Sequence, residues 1–249
     1  MDGRRTVAIL LCILWAASAG ALDHMGLPKA ELEQGQISLG FDYSFSREDV
    51  EADGSDLIPL FGEKTITVKD VESNRYYGRI GYGLMDWCEL FVRLGVGDAD
   101  ADDGNIEFNT TDKFAWGYGA KLTLIDDEKI DWGGLWQMSW LSTNDADSIW
   151  ATGVKGEYDG WDMQIAAGPV IDMDGWFLYG GAFYYMLDGD FDGKSAGVTV
   201  LSVDIEQESE FGGYIGAQLP LVGERVCIGV DFALTADGYS VSSGLVCKF

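Results

Sequence analysis

Apolar and polar side chains alternate with a period of two through most of this chain. Along Gln36–Ser46, Ile37, Leu39, Phe41, Tyr43 and Phe45 share one face, and Ser38, Gly40, Asp42 and Ser44 the other. Successive side chains of a strand point to opposite sides, so this spacing predicts a β-strand with one oily and one wet face. The same alternation predicts strands over Arg75–Leu84, Cys88–Gly97, Lys113–Leu124, Ile130–Leu141 and Glu157–Ile171. It continues through Trp176–Leu187, Ser209–Leu219, Glu224–Thr235 and Tyr239–Phe249. Trp176–Leu187 is apolar on both faces, which leaves its register open. Lys64–Val68 and Val198–Ile205 read as strand extensions above a membrane rather than as further spans.

In a chain with 23% charged residues, the apolar faces of these strands carry no Asp, Glu, Lys or Arg. Lipid explains that exclusion, because a basic residue on a barrel exterior costs ~2–4 kcal/mol at mid-bilayer. A soluble, lipocalin-like barrel binding an apolar ligand would reverse the pattern, with polar residues outside. The expected fold is all-β: a closed antiparallel up-and-down transmembrane β-barrel of about ten strands, with eight or twelve as alternatives. Connections 47–74, 98–112, 142–156 and 188–208 are long, polar and acidic, whereas 85–87, 125–129, 172–175 and 220–223 are short. Long loops outside and tight periplasmic turns are the outer-membrane arrangement. Asp237-Gly238 predicts a two-residue hairpin turn. Trp87, Trp132, Trp140, Trp150, Trp161, Trp176 and Tyr239 fall near strand ends, where interfacial aromatic girdles lie.

Residues 1–21 read as a secretory signal peptide: Arg4 and Arg5, an apolar run from Val7 to Trp15, and Ala19-Gly20-Ala21 as the cleavage site. Domain organisation follows: signal peptide 1–21, a short polar periplasmic lead 22–35, and a barrel 36–249. The formal charge is −26, which disfavours nucleic-acid binding, since phosphate affinity comes from clustered Lys and Arg. Cys88, Cys227 and Cys247 follow the signal peptide, and an odd count is no complete disulfide framework. Parity across the last hairpin puts Cys227 and Cys247 on opposite faces.

The final strand stops on an aromatic residue, Phe249, which resembles the assembly signal of bacterial outer-membrane β-barrels. Across the chain after residue 21, the pattern looks like the small OmpA-type or porin-like barrels. That resemblance implies an outer-membrane location, contact with outer-membrane lipid, and engagement of the barrel-assembly machinery through Phe249.

Chemistry is sparser. The inward positions Asp42, Arg79, Glu89, Arg93, Lys121, Asp131, Asp162, Glu210, Arg225, Asp231 and Lys248 form a candidate lumen charge network, in which pairing offsets burial. The same residues could instead line a narrow porin-like channel for small ions or solutes. The one histidine, His24, lies outside every predicted strand. Barrel enzymes such as the omptin proteases, phospholipase A and the lipid A palmitoyltransferase use a catalytic histidine among strand or loop residues, so no catalytic residue is assigned. The expected role is structural or interactive, through acidic surface loops and without catalysis. Asp188, Asp190 and Asp192, followed by Gly193, match the first half of a calcium loop, although Thr199 stands where a bidentate Glu is expected. Weak external Ca2+ is therefore the sole cofactor considered.

Overall fold

A strand can cross hydrocarbon only if every backbone amide and carbonyl on both its edges is paired. The computed structural model of the chain meets that condition by closing the sheet on itself. It describes residues 22–54, 64–102, 107–109, 113–147, 154–195, 198–207, 210–223 and 225–249. The strands are β1 (Ile37–Gly54), β2 (Lys64–Met85), β3 (Cys88–Gly97), β4 (Asp100–Asp102), β5 (Glu107–Asn109), β6 (Lys113–Ile125) and β7 (Ile130–Asp147). They continue with β8 (Val154–Asp172), β9 (Phe177–Ser195), β10 (Val198–Gln207), β11 (Phe211–Pro220), β12 (Val226–Leu234) and β13 (Gly238–Lys248). Antiparallel ladders run β1–β2–β3–β6–β7–β8–β9–β11–β12–β13, and β13 returns to β1 from Ser38↔Lys248 to Glu48↔Gly238. The result is a closed ten-stranded up-and-down barrel.

Its two faces differ as the alternation requires. Outward side chains such as Phe41 (50% exposed), Ile80 (50%) and Leu94 (57%) form an apolar belt. Their inward neighbours Glu89, Arg93 and Lys121 are buried. That polarity is the inverse of a soluble barrel, so the lipocalin-like alternative is set aside. The open register of 176–187 is now fixed: Tyr179, Phe183, Tyr185 and Leu187 point inward. Trp116, Trp140 and Trp161 share one outer row, with Trp116 stacked on Trp140 at 4.4 Å. Trp87, Trp132 and Trp176 lie at the opposite end, beside the short turns, and Trp150 lies outside the described residues.

The long connections are largely strand, which corrects their reading as loops. β1, β2, β7, β8 and β9 run well past the apolar belt. Beyond it, where β12 and β13 have already ended, β10 pairs with both β9 and β1, in keeping with the strand extension expected over Val198–Ile205. The ring at that height is β1, β2, β4, β5, β7, β8, β9 and β10, two strands fewer than in the belt. Acidic residues stud it: Asp159, Asp190, Asp204 and Asp53 occupy one cross-strand row. Asp188, Asp190 and Asp192 sit on this continuous strand rather than in a loop. A strand rises about 3.4 Å per residue, so the backbone sets alternate residues about 7 Å apart. No group of three His, Cys, Asp or Glu among the described residues could hold a metal ion.

The last hairpin is also corrected. Leu234 pairs with Tyr239 and the Thr235 amide donates to Gly238 O at 2.9 Å, so the two-residue turn is Ala236-Asp237, one position before the expected Asp237-Gly238. The register shift is even, so face parity survives: Cys227 opposes Val246 and Cys247 opposes Val226, and among the described residues Cys88, Cys227 and Cys247 form no disulfide. Placing Arg at Val92, a belt position on β3, should cost about 2–4 kcal/mol of folding free energy. Denaturant titration of vesicle-folded protein checks this, and an unchanged midpoint would contradict lipid contact at that face.

Candidate functional site: the lumen and the segment that fills it

The interior of a ten-stranded cylinder must be filled by side chains, water or another piece of chain. Here the filling is residues 22–33, which corrects their reading as a periplasmic lead. Leu22, Asp23, His24, Met25, Leu27 and Leu32 are all buried. This plug leaves the lumen at the short-turn end. There the Gly35 amide donates to Gly83 O at 2.8 Å, the Gly83 amide to Gln36 O at 2.9 Å, and the Gln34 amide to Asp86 Oδ1 at 2.9 Å.

The wall is cut to fit. A Cβ on Gly133 would stand 2.6 Å from the Lys29 amide nitrogen, and one on Gly83 would run into the Glu33 carbonyl. Gly26 turns the plug with φ of 65°, a left-handed conformation that glycine adopts without steric cost.

Three ionic anchors hold the plug. Asp23 lies 2.9 Å from Arg93 Nη2 and 3.4 Å from Arg75 Nη1, and it accepts a hydrogen bond from Ser139 Oγ at 2.8 Å. Glu31 lies 3.2 Å from Lys121 Nζ and 3.3 Å from Lys248 Nζ, and it accepts from Gln218 Nε2 at 2.8 Å. The third anchor is Asp231. Its Oδ2 stands 2.7 Å from His24 Nδ1 and accepts from the Met25 amide at 3.0 Å, the Gly26 amide at 2.9 Å and Ser242 Oγ at 3.2 Å. Tyr179 donates its hydroxyl to the other oxygen. At the short-turn rim, Lys29 pairs with Asp131.

Most of the predicted network is therefore internal: Asp42, Arg79, Glu89, Arg93, Lys121, Asp162 and Asp231 are buried in the wall. Lys248 reaches Glu31, and Asp131 closes the rim. Glu210 and Arg225 are not part of it. Both are exposed, Glu210 where β10 jogs into β11 and Arg225 in the turn before β12; strand parity does not extend into either connection. Arg75, which pairs with Asp162, was missed although it shares parity with Tyr77 and Arg79. Asp23, His24 and Glu31 carry no periodic signal, and only the buried run around them reveals them.

His24, Asp231 and Ser242 are the residue types of a hydrolytic triad, but not its geometry. A triad needs one imidazole nitrogen on the carboxylate and the other on the nucleophile. His24 meets both Asp231 and Ser242 through Nδ1, at 2.7 and 3.0 Å. Its Nε2 packs against Gly244, at a place a Cβ would occupy. The cluster is an anchor for the plug.

Replacing Asp231 by Ala strands a buried imidazole and two amides, so the expected cost is about 3–5 kcal/mol in vesicle unfolding titrations. Adding His24→Ala to that variant should cost far less than His24→Ala alone. Additive losses would mean that the two side chains do not act together.

No family model matches the sequence, and no curated protein matches it. Among solved structures, the chain is similar to the translocator domain of autotransporter NalP from Neisseria meningitidis, with TM-score 0.49 and 11% identity over 88% of this chain and 89% of that one. It is also similar to the outer membrane protein OprG from Pseudomonas aeruginosa, with TM-score 0.47 and 11% identity over 87% and 97%. Outer membrane protease OmpT from Escherichia coli gives 0.47 and 10% over 85% and 97%. By its own ladder closure and apolar belt, the chain is a β-barrel of the outer-membrane type.

Proposed function

We propose that this protein is a non-catalytic barrel of a Gram-negative-type outer membrane, and that its lumen is a narrow passage held shut by residues 22–33. The short turns then face the periplasm and the acidic strands face the outside. One observation carries the reading: the plug is fastened by charged contacts at Asp23, Glu31 and Asp231, inside a wall whose glycines are placed to receive it.

A lumen that only had to be full could be packed with apolar side chains, and buried ion pairs rarely stabilise more than such packing does. An ionic seal differs in one respect. Its parts remain soluble in water once separated, so it can open and close again.

A surface-display role is favoured by a separate feature, the exposed acidic row of Asp159, Asp190 and Asp204. Surface display itself does not require a sealed lumen, since Asp159, Asp190 and Asp204 are exposed while the plug is buried.

In planar bilayers the full chain should be silent. A variant lacking residues 22–33 should give discrete current steps while keeping heat-modifiable gel migration, the sign of a closed barrel. Equal currents from both proteins would sink the idea that this segment is the seal.

A further inference from the structure

Two of the plug's carboxylates, Asp23 and Glu31, occupy places that look built for a carboxylate. Arg79 on β2 and Arg93 on β3 are direct cross-strand partners, and both are buried. Like charges directly opposite one another destabilise a sheet, so this pair calls for an anion between or beside them. Within the wall, Glu89 meets Arg79 at 3.3 Å and Asp162 meets Arg75. The ion-pair partners described for Arg93, Lys121 and Lys248 come from the plug instead: Asp23 for the first and Glu31 for the other two.

Each carboxylate also finds a neutral donor, Ser139 for Asp23 and Gln218 for Glu31. Nε and Nη1 of Arg93 and Nε of Arg79 are buried without a hydrogen-bond partner. Arg93 is held in place by the faces of Tyr77, 4.7 Å from its guanidinium carbon, and Phe91 at 5.9 Å. A fixed guanidinium with unused donors is a pre-formed carboxylate receptor.

Resting on the plugged-passage reading, the geometry points to small carboxylate-bearing anions as what the opened barrel takes. Asp23 and Glu31 are their resident stand-ins, and Arg75, Arg79, Arg93 and Lys121 form the track. Among the wall's buried acids, Asp231 lies on β12, away from the basic strands β2, β3 and β6, whereas Asp42 on β1 and Glu89 on β3 sit beside Arg79. An anion taking the place of Asp23 or Glu31 would meet Arg75, Arg93 and Lys121, the bases those two carboxylates now contact.

The test uses two forms of the protein: the variant lacking residues 22–33, and the full chain carrying Asp23→Asn and Glu31→Gln. The second keeps the plug's length should the deletion fail to fold. Under a potassium chloride gradient, the expected reversal potential lies on the chloride side of zero. Millimolar succinate should reduce the chloride current, and adding Arg93→Gln should abolish both effects. Conduction with a potassium preference, or with no response to succinate, overturns the anion track and leaves the plugged passage standing. Two folded but silent variants overturn the passage itself, and the track with it.

Discussion

The eleven-residue ladder between β1 and β13, from Ser38↔Lys248 to Glu48↔Gly238, is the constraint on which the rest of the molecule depends. An unpaired edge in hydrocarbon would strand a row of amides and carbonyls at several kcal/mol each. Closure removes that edge and converts a two-faced sheet into an inside and an outside. Once lipid claims the outside, every Asp, Glu, Lys and Arg on a spanning strand has one direction left. The charged interior is thus a consequence of the apolar exterior, before any question of function arises.

A charged interior creates its own difficulty. Ten strands enclose more space than Arg, Glu and Gln side chains can satisfy on their own, and the bases of β2, β3 and β6 sit close enough to repel. The plug answers both demands at once. Its backbone supplies volume where Gly83 and Gly133 leave room, and Asp23 and Glu31 supply the negative charge that Arg93, Lys121 and Lys248 face. Apolar contacts from Leu22, Met25 and Leu27 to the inward aromatics Tyr179, Phe183 and Tyr214 complete one hydrophobic cluster inside the lumen.

What could be read from the chain was whatever has a period. Ile37 to Phe45 and Trp132 to Trp140 announce their faces because a strand repeats every second residue. The inward set from Asp42 to Asp231 followed from parity alone. Connections have no parity, which is why Glu210 and Arg225 were misplaced. A repeat of carboxylates has a period that a calcium loop and an extended strand share, so Asp188, Asp190 and Asp192 could not be told apart by spacing. The plug was the least legible part. Asp23, His24 and Glu31 find partners more than fifty residues away, and nothing within 22–35 indicates on which side of the cylinder wall that segment lies.

The position of β10 constrains how such a barrel can open. Above the β12–β13 hairpin, β10 joins β9 directly to β1, and the Asp49 amide donates to Asp237 O at 3.0 Å across the top of that hairpin. A sideways exit there would have to break two ladders together. At the other end, the plug meets β2 and its turn through a few backbone bonds and meets the rim through Lys29 and Asp131. Motion along the axis toward the short turns exchanges ion pairs for water and leaves every ladder whole. Of the two directions, only that one preserves the closure on which the fold rests.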